Sequence, residues 1–261
     1  MPTGVSVCPI AVLVHGSGAL DKDETINDNM PFAELAHGLA KHGIATLRYD
    51  KRIFTYRDKG GFSIREEVID DALSAIGLAH QLCDGPVYLI GHSLGAMVAP
   101  WVATLATDLS GIVMMAAPAR SLADVIVEQI DYLSPSGASQ EYKDEQIAAL
   151  KESRPQYFEG ELANYDQVKT AQSLQLPMLI LQGERDYQVR MTDYYLWQLG
   201  LAEKGNAELH SYPGLNHIFH ESHSPGELSS PMDYYDKGEI RNQVIDDIAR
   251  FIITTAGNRH E

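Results

Sequence analysis

Ser93 sits in the run Gly91-His92-Ser93-Leu94-Gly95, which fits the pattern G-x-S-x-G. A serine hydroxyl that is to attack a carbonyl carbon must be held clear of its surroundings, with a base beside it. The pattern meets the first requirement where a buried strand turns sharply into a helix, a turn that accepts only small flanking residues. Pro86-Val87-Tyr88-Leu89-Ile90 is a strand-like run just ahead of it, a helical run to about Ala106 follows, and Gly91, Gly95 and Ala96 are small. A small-residue turn without chemistry would explain the glycines but not their place between strand and helix.

Serine is a poor nucleophile near neutral pH and needs a general base, usually histidine, oriented by an acid. In strand–turn–helix sites of this type the chain order is serine, acid, histidine. After Ser93, the run Met178 to Gln182 ends in Gly183-Glu184-Arg185-Asp186, and Glu208 to Tyr212 is followed by Pro213-Gly214-Leu215-Asn216-His217. Both loops follow strands on the side where parallel sheets place their sites. Asp186 and His217 are the expected partners, with Glu184 the rival acid and His220 and His223 the rival bases. His92 is read as packing support beneath the nucleophile. The oxyanion of a tetrahedral intermediate needs backbone N–H donors. Leu94 supplies one, and the small loop His15-Gly16-Ser17-Gly18 supplies the other, through Ser17 or alternatively Gly18.

Those residues need a scaffold, and the chain alternates strand-like with helix-like segments, the signature of a mostly parallel sheet with helices on both faces. Pro9 to Val14 is a continuous apolar run, as for a strand buried on both sides. A helix is expected from about Pro31, a strand over Ile44 to Tyr49, and a long helix over Ile64 to Leu82. Further strands are expected over Ile112 to Ala116, Met178 to Gln182 and Glu208 to Tyr212, and a last helix over Glu239 to Thr255. Pro100 should kink the helix after Ser93. Residues 119–176 contain no sheet strand, and a structureless stretch of that length is improbable in a compact domain. They are read as an inserted helical cap, with helices at Leu122 to Leu133 and Gln140 to Leu150, between core segments 1–118 and 177–261. Tyr132, Tyr142, Tyr157, Phe158 and Tyr165 of the cap either wall an apolar pocket over Ser93 or form the cap's own core. Tyr132, Tyr157, Met114 and Ile218 are the expected substrate contacts.

With 261 residues, 44% of them hydrophobic, the chain can bury about three quarters of its unfolded surface. A net charge of −16 argues against nucleic acid, which needs a cationic face, and disfavours strongly anionic substrates by long-range repulsion. Cys8 and Cys83 are read as free thiols of a reducing compartment, a single bridge being the alternative. Met1-Pro2-Thr3-Gly4-Val5 lacks the positive n-region of a secretory signal, and no apolar run approaches the ~20 residues of a membrane helix, so a cytoplasmic location away from the membrane is expected. The chemistry calls for no metal and no cofactor. Asp21, Asp23 and Glu24 have metal-like spacing but no histidine or cysteine beside them, and are read as a solvated loop or pocket rim. Asp50-Lys51-Arg52 is read as loop-bracing ion pairs, a substrate-holding role for Lys51 or Arg52 being the minority reading.

Taken together, His15-Gly16-Ser17-Gly18, Leu47-Arg48-Tyr49-Asp50-Lys51-Arg52, Gly91-His92-Ser93-Leu94-Gly95, Gln182-Gly183-Glu184-Arg185-Asp186 and Gly214-Leu215-Asn216-His217 resemble the α/β-hydrolase superfamily. More narrowly they resemble bacterial carboxylesterases grouped with serine aminopeptidases. The resemblance implies an α/β-hydrolase fold and a Ser93, Asp186 and His217 triad. Such hydrolases usually carry an antiparallel strand or two ahead of the strand that ends in His-Gly. Only about eight residues precede it here, which leaves two readings: a trimmed sheet edge, or a sequence without its natural start. The resemblance implies carboxylesterase activity, and a modest cap without a long apolar lid suggests small to medium soluble esters. Aminopeptidase-like or thioesterase activity on the same triad is the alternative, and a ligand-binding protein without catalysis is a third reading. An aminopeptidase would need carboxylates for the substrate's α-amino group, and Glu128, Asp131, Glu161 and Asp166 are the candidates.

Overall fold

Strand β1 (Ile10–Val14) is apolar along its whole length because both faces of it are covered. The computed structural model describes residues 8–56 and 62–257; the segment Met1 to Val5, read above for a secretory signal, lies outside them. From β1 the chain runs through α1 (Pro31–Lys41), β2 (Ala45–Leu47) and the short α2 (Arg52–Thr55). Then follow α3 (Asp70–Leu82), β3 (Val87–His92), α4 (Leu94–Leu105) and β4 (Gly111–Met115). Next come α5 (Leu122–Leu133), α6 (Gln140–Ser153) and α7 (Gln167–Ser173), and the chain closes with β5 (Met178–Gly183), α8 (Met191–Gly200), β6 (Ala207–Tyr212) and α9 (Asn242–Gly257). The six strands form one sheet in the order β2-β1-β3-β4-β5-β6, every neighbouring pair parallel. Among the described residues no strand pairs beyond β2, and no helix is long and apolar enough to cross a membrane.

The period-2 alternation of strand side chains divides the core in two. Val12, Leu89, Ile112 and Ile180 face α3 and α4, meeting Ala72, Ile76, Val98 and Val102. Leu13, Ile90, Val113 and Leu179 face the other way, onto Phe32, Leu35 and Leu39 of α1 and Val244, Ile248 and Phe251 of α9. After β1 the chain steps outward to β2 and then crosses back to β3 on the other side of β1. The carboxyl ends of β1 and β3, paired at Val14 and Gly91, therefore diverge at the point where such sheets open a crevice.

One expected helix begins differently, and α8 has no counterpart in the sequence expectation. The helix expected over Ile64 to Leu82 begins with a π turn over Arg65–Ile69, which carries Glu67 inward together with Val68 and Ile69. Pro100 lies inside α4, which continues through it. The cysteines, one just ahead of β1 and one closing α3, are buried free thiols with their sulfurs 3.4 Å apart. Between β4 and β5 the chain is helical, with α5 and α6 at the positions expected of a cap. α6 buries none of its residues. α7 is tied to the core at its start, Gln167 donating to the Pro118 and Arg120 carbonyls.

Candidate active site

Ser93 joins β3 to α4 with φ 53° and ψ −117°, a positive-φ conformation that non-glycine residues rarely adopt. Its N–H donates to the Met115 carbonyl at 2.9 Å, so the bonding between β3 and β4 extends past the strand and pins the turn. The space around it is closed by backbone. A Cβ on Gly95 would lie 2.2 Å from the Val14 carbonyl oxygen, and one on Gly91 2.4 Å from the Gly95 carbonyl oxygen. Ser93 itself remains half-buried.

The loops after β5 and β6 bring Asp186 and His217 together. His217 Nδ1 lies 2.6 Å from Asp186 Oδ2. Asp186 is fully buried; its Oδ1 accepts the Gln188 and Val189 N–H groups at 2.7 and 3.0 Å, and Gln182 Nε2 approaches Oδ2 at 3.3 Å. A carboxylate only accepts, so the shared proton sits on Nδ1 and the neutral ring keeps its lone pair at Nε2. The rivals are engaged elsewhere. Glu184 accepts from Ser211 Oγ at 2.8 Å, His220 pairs with Glu34 at 2.9 Å, and His223 is exposed. Asn216, not singled out in the sequence, shapes the histidine loop by accepting the Ile218 and His220 N–H groups through its side chain at 3.1 Å each.

Behind Ser93, His92 does more than fill space. Its Nε2 donates to the His217 carbonyl at 2.9 Å, its ring centroid is 4.7 Å from that of His217, and its Nδ1 lies 3.0 Å from Glu24 Oε2. Burial opposes a charge on His92, but the neighbouring Glu24 carboxylate outweighs it and raises the imidazole's pKa. Burial likewise opposes ionisation of Glu24, and His92 with the Gly16 N–H outweighs it, lowering the carboxyl's pKa.

The acidic loop, expected to be solvated or a pocket rim, departs from that at Glu24. Glu24, at φ 54°, turns inward and is 1% exposed. Asp21 spends its carboxylate on the loop itself, accepting the Asp23 and Thr25 N–H groups and the Thr25 hydroxyl. The spacing that looked metal-like is therefore a turn motif. Among the described residues no group of three or more His, Cys, Asp or Glu is placed to hold a metal ion.

The loop after β1 approaches Ser93 closely, a Cβ on Gly16 falling 3.1 Å from Ser93 Cβ. Its amides are not equivalent. The Gly16 N–H donates to Glu24 Oε1 at 2.7 Å and the Gly18 N–H to the Tyr157 hydroxyl at 3.2 Å. The Ser17 N–H, on an exposed residue, has no partner among the described residues. The Leu94 N–H opens α4 and has no acceptor within its helix. Lys51 Nζ donates to the Gly16 carbonyl at 2.7 Å and to Glu67 Oε1 at 2.8 Å, both side chains being buried. Burial draws the Lys51 pKa down while Glu67 resists that. Arg52 pairs with Asp71 at 2.5 Å. Lys51 and Arg52 thus brace the fold, and Glu67, inconspicuous in a helical stripe, is the partner that the sequence reading missed.

The expected substrate contacts are placed unequally. Tyr132 stacks on Tyr187 with centroids 5.4 Å apart and donates to the Ser229 carbonyl at 3.0 Å. Ile218 packs in a small cluster with Tyr187 and Tyr234 beside Asp186. Tyr157 is anchored at Gly18 and Glu67. Met114 is wholly buried in the core, because its strand position points to the α3/α4 face, so it offers no surface to a substrate. Of the tyrosines between β4 and β5, Tyr132 and Tyr157 are held by the loops after the sheet strands, Tyr165 packs on Trp101 of α4 at 5.2 Å, and Tyr142 is exposed.

With this geometry and topology the chain belongs to the alpha/beta hydrolase family, whose model matches residues 11–230. It is 36% identical over 267 residues to the esterase EstD of Thermotoga maritima, a match that takes in 97% of this chain and 64% of that protein. Among solved structures, the fold is similar to an esterase of Pyrococcus furiosus, Pf2001 (TM-score 0.64, 14% identity, 96% of this chain and 83% of that one). It is also similar to Est1E of Butyrivibrio proteoclasticus (TM-score 0.62, 16% identity, 98% and 91%).

Proposed function

We propose that this chain is a serine carboxylesterase acting on small to medium soluble esters through an acyl-enzyme. The observation that carries the reading is the 2.6 Å contact between Asp186 and His217 Nδ1, which leaves Nε2 of a neutral ring as the base. Ser93 Oγ attacks the ester carbonyl carbon as His217 Nε2 takes its proton. The negative oxygen meets the Leu94 and Ser17 N–H groups, and Asp186 stabilises the imidazolium. The intermediate collapses, His217 passes its proton to the departing alkoxide, and the acyl group stays on Ser93. Water, deprotonated by the same ring, then releases the carboxylic acid.

Two observations favour an ester over an aminoacyl substrate. The relative from Thermotoga maritima is named an esterase. The carboxylates that could have gripped an α-amino group are largely spoken for: Glu128 by Arg120 and Arg190, Asp131 by Lys143, and Asp166 by the first turn of α7.

The test is a panel of p-nitrophenyl esters of rising acyl length, with aminoacyl anilides and an acyl thioester alongside, on the wild type and Ser93→Ala. Short and medium esters should turn over, and the substitution should lower the rate by at least about 1,000-fold. Turnover of the anilides with none of the esters would replace the esterase reading by the peptidase one. A protein that neither turns over an ester nor takes up a fluorophosphonate at Ser93 would be a binding protein.

A further inference from the structure

We propose that Tyr157, Glu67, Lys51 and Glu24 are positioning residues that hold the Gly16–Gly18 loop against Ser93, so that the cap segment bearing Tyr157 completes the oxyanion hole. The inference rests on the ester-hydrolysis reading above.

Gly16-Ser17-Gly18 has little stiffness of its own, two of its three residues being free of side-chain restraint. Yet an oxyanion donor misplaced by about 1 Å can cost on the order of 100-fold in rate. The restraint comes from outside the loop. The Gly16 peptide is held on both sides, its N–H by Glu24 and its carbonyl by Lys51. One residue beyond Ser17, the Gly18 N–H is held by the Tyr157 hydroxyl. The only loop amide left without a partner among the described residues lies between these two fixed points.

Three of the four side chains are also linked to one another, and Glu24 joins them through Gly16. The Tyr157 hydroxyl, accepting from Gly18, donates to Glu67 Oε1 at 3.2 Å, and the same oxygen takes Lys51 Nζ at 2.8 Å. Gln156, next to Tyr157 in the 3-10 turn Pro155–Tyr157, reaches the second Glu67 oxygen at 3.3 Å. Glu24 reaches past Gly16 to His92. Burying a lysine and a glutamate among apolar neighbours carries a desolvation cost that a well-packed apolar pair would avoid. What that apolar pair could not do is donate to the Gly16 carbonyl and anchor the Tyr157 hydroxyl. Because Tyr157 lies between α6 and α7, far in sequence from the loop that it holds, the docked cap and the ordered loop depend on one another.

The test starts with Tyr157→Phe, which removes one hydroxyl and nothing else. Rates are expressed per site titrated with a fluorophosphonate, so misfolded protein does not count. kcat should fall about 10-fold with KM within about twofold, while Tm changes by only about 3 °C. Affinity for an alkylboronic acid, whose adduct with Ser93 places an oxygen in the hole, should fall by the same factor as kcat/KM. A Lys51→Met, Glu67→Met double variant, which removes both charges at similar volume, should give the same kcat and boronic acid losses.

Unchanged kcat and boronic acid affinity in Tyr157→Phe would overturn the proposal, whatever happens to Tm. If the double variant does not fold, the single one still decides. Wild-type protein that neither hydrolyses an ester nor takes up the fluorophosphonate would instead sink the ester reading, and this inference with it.

Discussion

Glu24 and His92 form a buried pair, Oε2 to Nδ1 at 3.0 Å, directly behind Ser93. One member's other oxygen holds the Gly16 N–H, and the other member's Nε2 holds the His217 carbonyl. The pair thus ties the loop after β1 to the loop after β6 across the base of the site.

Its charge state makes a prediction about stability. Glu24 is depressed below the ordinary carboxyl value of 4.5, so its contribution is present above that pH and lost as pH falls through the lower folded value. His92 is raised above 6.5, so its contribution is complete below that pH and lost as pH rises through the higher folded value. The pair is therefore worth most between these two ordinary values. Glu24→Gln keeps an acceptor for Gly16 but leaves His92 without a countercharge, and should destabilise the fold by roughly 3 kcal/mol near pH 5.5. The difference from wild type should narrow on both the acid and the alkaline side. Urea unfolding across a pH series reads this directly, and a difference independent of pH would show that the pair is not ionised.

Asp186 invites a sharper test, because its replacement can leave the geometry intact. In Asp186→Asn the amide can still meet Nδ1, but through its N–H₂ group, which favours the ring tautomer with the proton on Nε2. That ring cannot accept the Ser93 proton. kcat should fall by about 1,000- to 10,000-fold with little change in KM, and the unfolding midpoint should move far less than a buried unpaired charge would move it. Steady-state kinetics beside thermal denaturation separates the two. An equal fall in activity and in folded fraction would reassign Asp186 to a purely structural role.

Much of this candidate site could be read without coordinates because Ser93 and Asp186 follow strands buried on both faces, β3 and β5, which announce themselves as apolar runs, while His217 follows the partly exposed edge strand β6. Ser93, Asp186 and His217 sit just past Leu89-Ile90, Leu179-Ile180-Leu181 and Tyr212, and the parallel sheet sets those strand ends on one side. The residues that escaped are the buried charges. Glu67 occupies an inward helical position that a π turn provides, and Glu24 is turned in by a positive φ; neither signal exists in residue type or spacing. Helix α8 escaped for a different reason. Its core-facing Tyr194 and Trp197 are interleaved with exposed Tyr195, Leu196 and Leu199, so no clean stripe marks it. The partners of Tyr132 and Tyr157 were not legible either, since what they touch lies in loops distant in sequence.

Strain at Ser93 gives the last prediction. Ser93 is held at φ 53° and ψ −117°, a region that costs a residue with a Cβ on the order of 1–3 kcal/mol and glycine little. Ser93→Ala removes the hydroxyl but keeps the strain, whereas Ser93→Gly removes both. Glycine also gains freedom in the unfolded chain, which offsets about 0.4–1 kcal/mol of the relief. Both variants should be inactive, yet Ser93→Gly should be the more stable of the two by about 1 kcal/mol in urea unfolding. Two inactive variants of equal stability would mean that the turn is relaxed around serine, and that the bond from Ser93 N–H to Met115, together with the close backbone at Gly91 and Gly95, holds the hydroxyl in place without stored strain.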